Sequence, residues 1–318
     1  MRIDGQYIWM DGEMVEFEKA TVHFLNTALH YGLAVFEGIR CYDTEYGPAV
    51  FRLQEHMQRL VNSAKVLGFN QLPYTADDLN QAAKQVVMEN NFNECYIRPL
   101  IFHDSSNPNL NLDEGVARVG IAAWSWDSYL GEQALEYGVR ANVSSFARHH
   151  INVSMTKAKI TANYANSTMA KTESVRLGFD EAIMLDTQGY VAECTGENIF
   201  LVRGGKIYTP STATILEGIT RDSVITLAND LGYPVIEQPV SRDQLYLADE
   251  VFVSGTAAEC IAIREIDFRT IGAGKTGPVT RQIQRAFHDA VRGKHPRSAE
   301  WLDFVSVKEG VKLLSVQV

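Results

Sequence analysis

Through the first 126 residues, short apolar or alternating runs are interrupted twice by helical spacing. The run YIWMDGEMV turns about Asp11-Gly12 and predicts a hairpin, and AVFEGIRCY and PAVFRL predict two strands joined through DTEYG. In LQEHMQRLVNSAKVLG the apolar positions Leu53, Met57, Leu60, Val61, Ala64 and Leu67 recur at the spacing of one helix face. A second helix, TADDLNQAAKQVVMENN, takes Thr75 as its cap, and two apolar strands, CYIRPLIF and VGIAAWSW, carry the chain to Trp126.

The pattern then lapses. DSYLGEQALEYG is polar, holds two glycines and shows no clear period, which marks it as a connection between domains. VRANVSSFAR follows as a strand, and a lysine-containing stretch leads into a helix that stops at Gly178. EAIMLD, YVAECT, NIFLVR and KIYTP form a meander through the turns TQG and GG. TRDSVITLANDLG predicts a helix with Thr220 as N-cap, and GPVTRQIQRAFHDAVRG another with Pro278 in its first turn. These elements predict an α+β protein of two domains: a small one over 1–127, an interdomain loop over 128–137, and a large one over 138–318 that carries the lysine stretch. The tail after Val305, SVKEGVKLLSVQV, is compatible with a short added strand and has no other readable role.

Length and composition agree: 318 residues exceed what one core usually serves, and 46% apolar content suffices for two. With 29 basic against 39 acidic residues, a net charge of −10 and no Lys/Arg run, nucleic acid is not an expected partner. No apolar run approaches the roughly 18 residues of a membrane span, and MRIDGQYIWMDGE has no apolar leader core, so the expected location is the cytoplasm. Cys41, Cys95, Cys194 and Cys260 are far apart and read as reduced thiols, with no metal-ligand spacing.

Candidate chemistry centres on SMTKAKITANYANSTMAKTESVRLGFDEA. Lys157 and Lys159 precede a run of small residues, and a lysine in a pocket with another positive group nearby is a potential nucleophile. Spacing alone does not choose between them, and solvated lysines ahead of a helix are the ordinary reading. GYVAECTGENIF sets Glu193 and Glu197 four apart at a strand end, where a carboxylate could hold a pyridine nitrogen protonated or simply be solvated. LEGITRDSV enters a helix at Ile219 and Thr220, and VSGTAAEC turns at Ser254, Gly255 and Thr256; each suits a phosphate and equally suits plain capping. Arg59 could be no more than a helical partner of Glu55.

Taken in order, ALHYGLAVFEGIRCY, EHMQRL, YIRPLIF, AAWSW followed by YLG, KITANY, ECTGENIF, LEGITRD, LYLADEVFVSGTAAE and GPVTRQIQ resemble the branched-chain aminotransferases. These are class IV (fold type IV) pyridoxal-phosphate enzymes, and the resemblance runs from about residue 8 to 305. In that family the Schiff-base lysine stands four residues before the Asn and five before the Tyr of an Asn-Tyr pair. Here this selects Lys159, ahead of Asn163 and Tyr164, and leaves Lys157 a bystander. The resemblance further implies that Tyr164 meets the cofactor's phenolic oxygen and Glu193 its pyridine nitrogen, with Glu197 in support. Arg59, the N–H groups at Ile219 and Thr220, and Thr256 would hold the phosphate.

On the substrate side it implies Tyr96 with the turn at Thr256 and Ala257 for the α-carboxylate, and Arg98 for the side-chain carboxylate of glutamate. Phe36, Tyr31, Trp126 and Tyr129 would line an apolar pocket, with Tyr31 reaching in from a second subunit of a homo-oligomer, a dimer or a hexamer. The implied activity is ping-pong transfer of an amino group between leucine, isoleucine or valine and 2-oxoglutarate, in branched-chain amino acid biosynthesis. No metal is implied. One departure stands out: Ile160 and Thr161 follow the lysine where the family often has Gly-Gly or similar small residues. D-amino-acid transaminases, aminodeoxychorismate lyases and (R)-selective amine transaminases share this fold, and the Tyr96 and Arg98 of YIRPL argue for the branched-chain type. A cofactor-less binding module would require an unreactive Lys159.

Overall fold

The structure, a computed structural model, describes residues 4–105, 107, 109–126 and 132–306. Tyr129, the first part of the expected interdomain loop and the tail beyond Ser306 lie outside the described residues. Contacts divide the chain into two units. The first gathers the described residues up to 126 with Ala158–Ala162 and 289–306; the second holds the described residues of 132–157 and 163–288.

The first unit is built on a sheet of eight strands among the described residues. Its order is Leu302–Phe304, Gly47–Phe51, Ile39–Thr44, Cys95–Asp104, Val116–Trp124, Tyr7–Met10, Glu13–Glu16, with Ala34–Phe36 also paired to Cys95–Asp104. The hairpin at Asp11-Gly12 forms because both residues accept positive φ, 50° and 102°, as a two-residue turn matched to strand twist requires. The helices Leu53–Leu67 and Ala76–Glu89 share one core with this sheet: Leu53, Met57, Leu60 and Ala64 are fully buried in a cluster with Ile39, Ile97 and Ile121. Thr75 and Asp78 close a reciprocal cap at the start of the second helix, at 3.2 and 2.9 Å.

AVFEGIRCY is two strands rather than one. Ala34–Phe36 and Ile39–Thr44 keep a single register on Cys95–Asp104, with Phe36 opposite Leu100 and Ile39 opposite Ile97. The gap falls opposite Pro99, which accepts from the Glu37 N–H at 3.0 Å but has no N–H to return. Gly38 is needed there for space, since a Cβ would stand 1.9 Å from the Tyr96 hydroxyl.

Ala158–Ala162, which include Lys159, and the C-terminal residues 289–306 group with the first unit instead of a continuous C-terminal domain. Ala34–Phe36 has an edge to satisfy, and the lysine stretch supplies it: Val35 bridges Ile160, Thr161 N–H donates to Ala34 O at 2.9 Å, and Phe36 N–H to Lys159 O at 3.0 Å. Leu302–Phe304 likewise pairs with Gly47–Phe51.

The second unit carries a sheet of nine strands among the described residues. The order is Val191–Cys194, Glu181–Leu185, Val139–Val143, Glu259–Ile266, Glu250–Gly255, Asn198–Arg203, Lys206–Thr209, Val235–Glu237, with Arg269–Thr270 beside Glu259–Ile266. Both faces are covered, as period-2 alternation shows: Ile199, Leu201, Val251 and Val253 enter one cluster, while Phe200, Val202 and Phe252 enter another with Val224, Ala228 and Ile283 of the helices Ile219–Asp230 and Pro278–Val291. Two expectations need correction. The stretch read as an aperiodic connection contains a helix, Glu132–Tyr137, whose Ala134 is buried and which ends at Gly138 with φ 78°. Thr220 is not the N-cap; Gly218 is, and the helix starts at Ile219.

Candidate active site

Lys159 is fixed by its backbone on two sides. Its carbonyl accepts from Phe36 N–H at 3.0 Å, and its N–H donates to the buried Ser63 Oγ at 3.0 Å. Its ammonium lies 4.9 Å from the centre of the Phe36 ring. Lys157 is engaged elsewhere, its ammonium 2.9 Å from Glu217 Oε1 and bonded to the Thr212 carbonyl, with the side chain 42% exposed.

The Phe36 ring also carries Arg98, whose guanidinium carbon stands 4.9 Å from the ring centre, 5.2 Å from that of Tyr96 and 5.8 Å from that of Trp124. Period-2 alternation puts Tyr96 and Arg98 on one face of their strand, and Arg98 Nη2 donates to the Tyr96 hydroxyl at 3.1 Å. Trp126 stacks on Tyr96 at 4.4 Å. Arg98 Nε and Trp124 Nε1 are buried without a hydrogen-bond partner among the described residues. Phe36, Tyr96, Arg98, Trp126 and Lys159 are therefore brought together, whereas Tyr31 stands 39% exposed at the end of the short helix Thr27–Tyr31.

Arg59 does not pair with Glu55, which bonds Arg52 at 2.6 Å. Residues 56, 59 and 63 share one face of the helix Leu53–Leu67, and this face meets the completely buried Glu37. Arg59 donates Nε–H to Glu37 Oε1 at 2.6 Å and Nη2–H to Oε2 at 2.8 Å; His56 Nδ1 lies 2.8 Å from Oε2. Burial alone would raise the Glu37 carboxyl, but Arg59 and the His56 contact outweigh it and hold the group well below the usual carboxylate range. Burial pushes His56 below its ordinary value, so it is neutral, and facing an anionic acceptor it must carry its hydrogen on Nδ1.

In the second unit Glu193 Oε1 stands 2.6 Å from Nε of Arg148, both side chains under 10% exposed. The contact is an ion pair out of hydrogen-bond alignment. Glu193 Oε2 accepts from Asn198 Nδ2 and from the Leu216 N–H, each at 3.3 Å. Asn198 also anchors the entry to the helix Ile219–Asp230: it donates to Leu216 O at 3.1 Å, and a Cβ on Gly218 would fall 2.0 Å from its Oδ1. The first-turn N–H groups of Ile219 and Thr220 thus start beside the Glu193 network, at the positive end of a helix of twelve residues.

Thr256 and Ala257 form the turn between Glu250–Gly255 and Glu259–Ile266. This turn neighbours Glu197, whose Cγ lies 3.2 Å from the Cβ position of Gly255, and Ser254 Oγ is buried there without a partner among the described residues. Burial, reinforced by Glu181, pushes the Glu197 carboxyl up to about 8, so it is protonated at neutral pH, while Glu181 itself is paired with Lys171. Tyr164 is the second residue of the helix Asn163–Arg176, which follows the lysine stretch.

The family model for class IV amino-transferases matches residues 34–266. The chain is 49% identical, over 94% of its length and 97% of the relative's, to a branched-chain-amino-acid aminotransferase of Pseudomonas aeruginosa. The chain belongs to the class IV aminotransferases. The crystal structure of the Escherichia coli branched-chain amino acid aminotransferase superposes with a TM-score of 0.93 at 47% identity, covering 96% of this chain and 100% of that one. The branched-chain amino acid aminotransferase of Thermobaculum terrenum, in its PLP-bound holo form, gives 0.89 at 34% identity, with the same coverage of both chains.

Four residues of this class IV aminotransferase escaped the reading of its sequence: Glu37, His56, Arg148 and Asn198. Glu37 sits between two apolar strands and His56 in an amphipathic helix, with no pattern of their own. Asn198 follows Glu197 directly and could have been suspected. For Arg148, a cation ahead of the lysine stretch, chain position held no sign of its partner 45 residues on.

Proposed function

We propose that this chain is a pyridoxal-phosphate-dependent aminotransferase that moves an amino group between leucine, isoleucine or valine and 2-oxoglutarate. The observation that carries this is the shared Phe36 ring, with the Lys159 ammonium at 4.9 Å and the Arg98 guanidinium at 4.9 Å. A nucleophilic amine, an aromatic wall and a cation for a carboxylate thereby meet in one place. An apolar pocket alone would reject glutamate, because an unpaired carboxylate there costs several kcal/mol.

The residues present fit the cofactor. Glu193 lies against a buried guanidinium and suits a ring nitrogen, and the helix start at Ile219 and Thr220 with the Thr256 turn suits a phosphate; Ser254 Oγ, next to that turn, is buried without a partner among the described residues. Arg59, held side-on by Glu37, is the cation assigned to the phosphate, and Tyr164 is assigned to the phenolic oxygen. When bound, pyridoxal phosphate supplies an aldehyde that exchanges amines and a ring that takes up the electron pair left at Cα. Lys159 Nζ takes the Cα proton of the donor amino acid and, in the second half of the ping-pong cycle, returns one to the Cα of the acceptor. Tyr96 and the Thr256–Ala257 turn are each assigned to the α-carboxylate, Arg98 to the side-chain carboxylate of glutamate, and Phe36, Trp126, Tyr129 and Tyr31 to the aliphatic side chain.

Tyr31 is assigned to the pocket of a second copy of the chain. Phe24, Leu25, Leu29 and Tyr31 are exposed by 72, 41, 64 and 39%, which supports burial of this stretch in a homo-oligomer. Among the described residues no helix is long and apolar enough to cross a membrane, which is compatible with a cytoplasmic setting. The test is a pair of half-reactions on the cofactor-loaded protein. L-leucine should abolish the visible band of the lysine-bound cofactor and 2-oxoglutarate should restore it; a band that responds to D-alanine and not to L-leucine would reject the assignment.

A further inference from the structure

We infer that Arg148 is a positioning residue acting through Glu193: it keeps Glu193 an anionic acceptor, so that a proton shared between this carboxylate and a pyridine nitrogen stays on the ring. The inference rests on the reading of Glu193 as the ring-nitrogen partner. A proton between a carboxylate and a pyridine has two positions, one giving a charged pair and the other a neutral one. In water the charged pair is solvated and favoured; in a dry site the neutral pair gains, because no charge then needs solvation. The Glu193 side chain is 9% exposed, so without help the proton would drift toward the carboxylate and the ring would lose its pull on electrons at Cα.

Arg148 reverses that tendency. Its guanidinium, 7% exposed, stands 2.6 Å from Glu193 Oε1, where water screens the attraction little, whereas Oε2 receives neutral donors at 3.3 Å. His149, Glu197 and the Glu181–Lys171 pair do not replace it. His149 is pulled down to about 4 by burial and by Arg148, so it is neutral; Glu197 is protonated at neutral pH; and Glu181 and Lys171 offset each other. Arg148 also fastens the fold, since its backbone N–H donates to Leu185 O at 2.7 Å. That bond does not involve the side chain and survives substitution, so the two roles can be separated.

The test uses the whole protein loaded with pyridoxal phosphate labelled with ¹⁵N in the ring, and reads the ring nitrogen's chemical shift. Wild type should show a protonated ring, Arg148→Met a shift toward the unprotonated form, and Arg148→Lys a shift near wild type. Turnover of Arg148→Met should fall at least about tenfold in kcat with a smaller change in KM. Arg148→Gln, which keeps donors without charge, takes the place of Arg148→Met if the latter does not take up the cofactor, and should also lose the ring proton. A protonated ring in the uncharged variant would overturn the inference, even with activity lost. Glu193→Gln is the control: if its ring stays protonated, the assignment of Glu193 fails, a result distinct from failure at Arg148.

Discussion

Replacing Arg98 with leucine removes a cation from one aromatic cage and leaves the cage in place. The guanidinium rests on Phe36, Tyr96 and Trp124 at 4.9, 5.2 and 5.8 Å, and leucine covers part of the same surface. What is lost is the partner for a buried carboxylate. A hydrogen bond to a charged group contributes about 1.5–3 kcal/mol, so KM for glutamate and 2-oxoglutarate should rise by roughly 10- to 150-fold. The bond from Arg98 to the Tyr96 hydroxyl, 3.1 Å, goes as well and loosens a residue assigned to both substrates, so some common loss is expected. The discriminating quantity is therefore the ratio of the two half-reactions, leucine against glutamate, followed on the same cofactor band by stopped flow. Tyr96→Phe, which removes the hydroxyl altogether and keeps the charge, sets the upper limit of the common part. An equal loss for both substrates in Arg98→Leu would make Arg98 a scaffold residue, and no loss for either would put it outside the pocket.

Lys159→Ala should abolish transamination, while Lys157→Ala, which breaks a half-exposed pair with Glu217, should cost little; a steady-state assay of both decides, and the reverse pattern would assign the nucleophile to Lys157. Glu193→Gln should lower kcat strongly with a modest change in cofactor affinity, measured by titration of the cofactor-free protein; near-normal turnover would remove it from the ring nitrogen. Glu37→Leu deletes the carboxylate that Arg59 and His56 share and should destabilise the protein by about 3–5 kcal/mol in urea unfolding, because the Arg59 charge then loses its buried partner; a loss well under about 1 kcal/mol would mean the network is relieved by water. Glu197 has its carboxyl raised from 4.5 to about 8, so the folded state binds the extra proton in that window: its contribution is full below about 4.5 and is lost as pH rises through about 8. Glu197→Gln should flatten that part of the stability–pH curve, and an unchanged slope would contradict protonated burial.

Local elements were legible wherever neighbours in sequence decide them. The Asp11-Gly12 hairpin, the cap at Thr75 and the helix Leu53–Leu67 follow from turn chemistry and periodicity, and all three form. Features set by distant partners were not. AVFEGIRCY breaks at Glu37-Gly38 because a proline and a tyrosine on another strand stand opposite, and nothing within the nonapeptide carries that information. Ala158–Ala162 group with the first unit because Val35, more than 120 positions earlier in the chain, needs an edge partner. The site divides in the same way. Period-2 alternation correctly joined Tyr96 to Arg98, but no spacing rule separates Lys157 from Lys159, and family resemblance alone made that choice. Arg148 and Glu37 are single charges whose meaning lies entirely in what they touch.

The most direct measurement of the proposed chemistry is to reduce the cofactor-loaded protein with borohydride and map the labelled peptide by mass spectrometry. The phosphopyridoxyl group should be found on Lys159, and prior exposure to L-leucine should prevent the labelling while D-alanine should not. Label on Lys157 or on no lysine, or protection by D-alanine alone, would contradict the assignment.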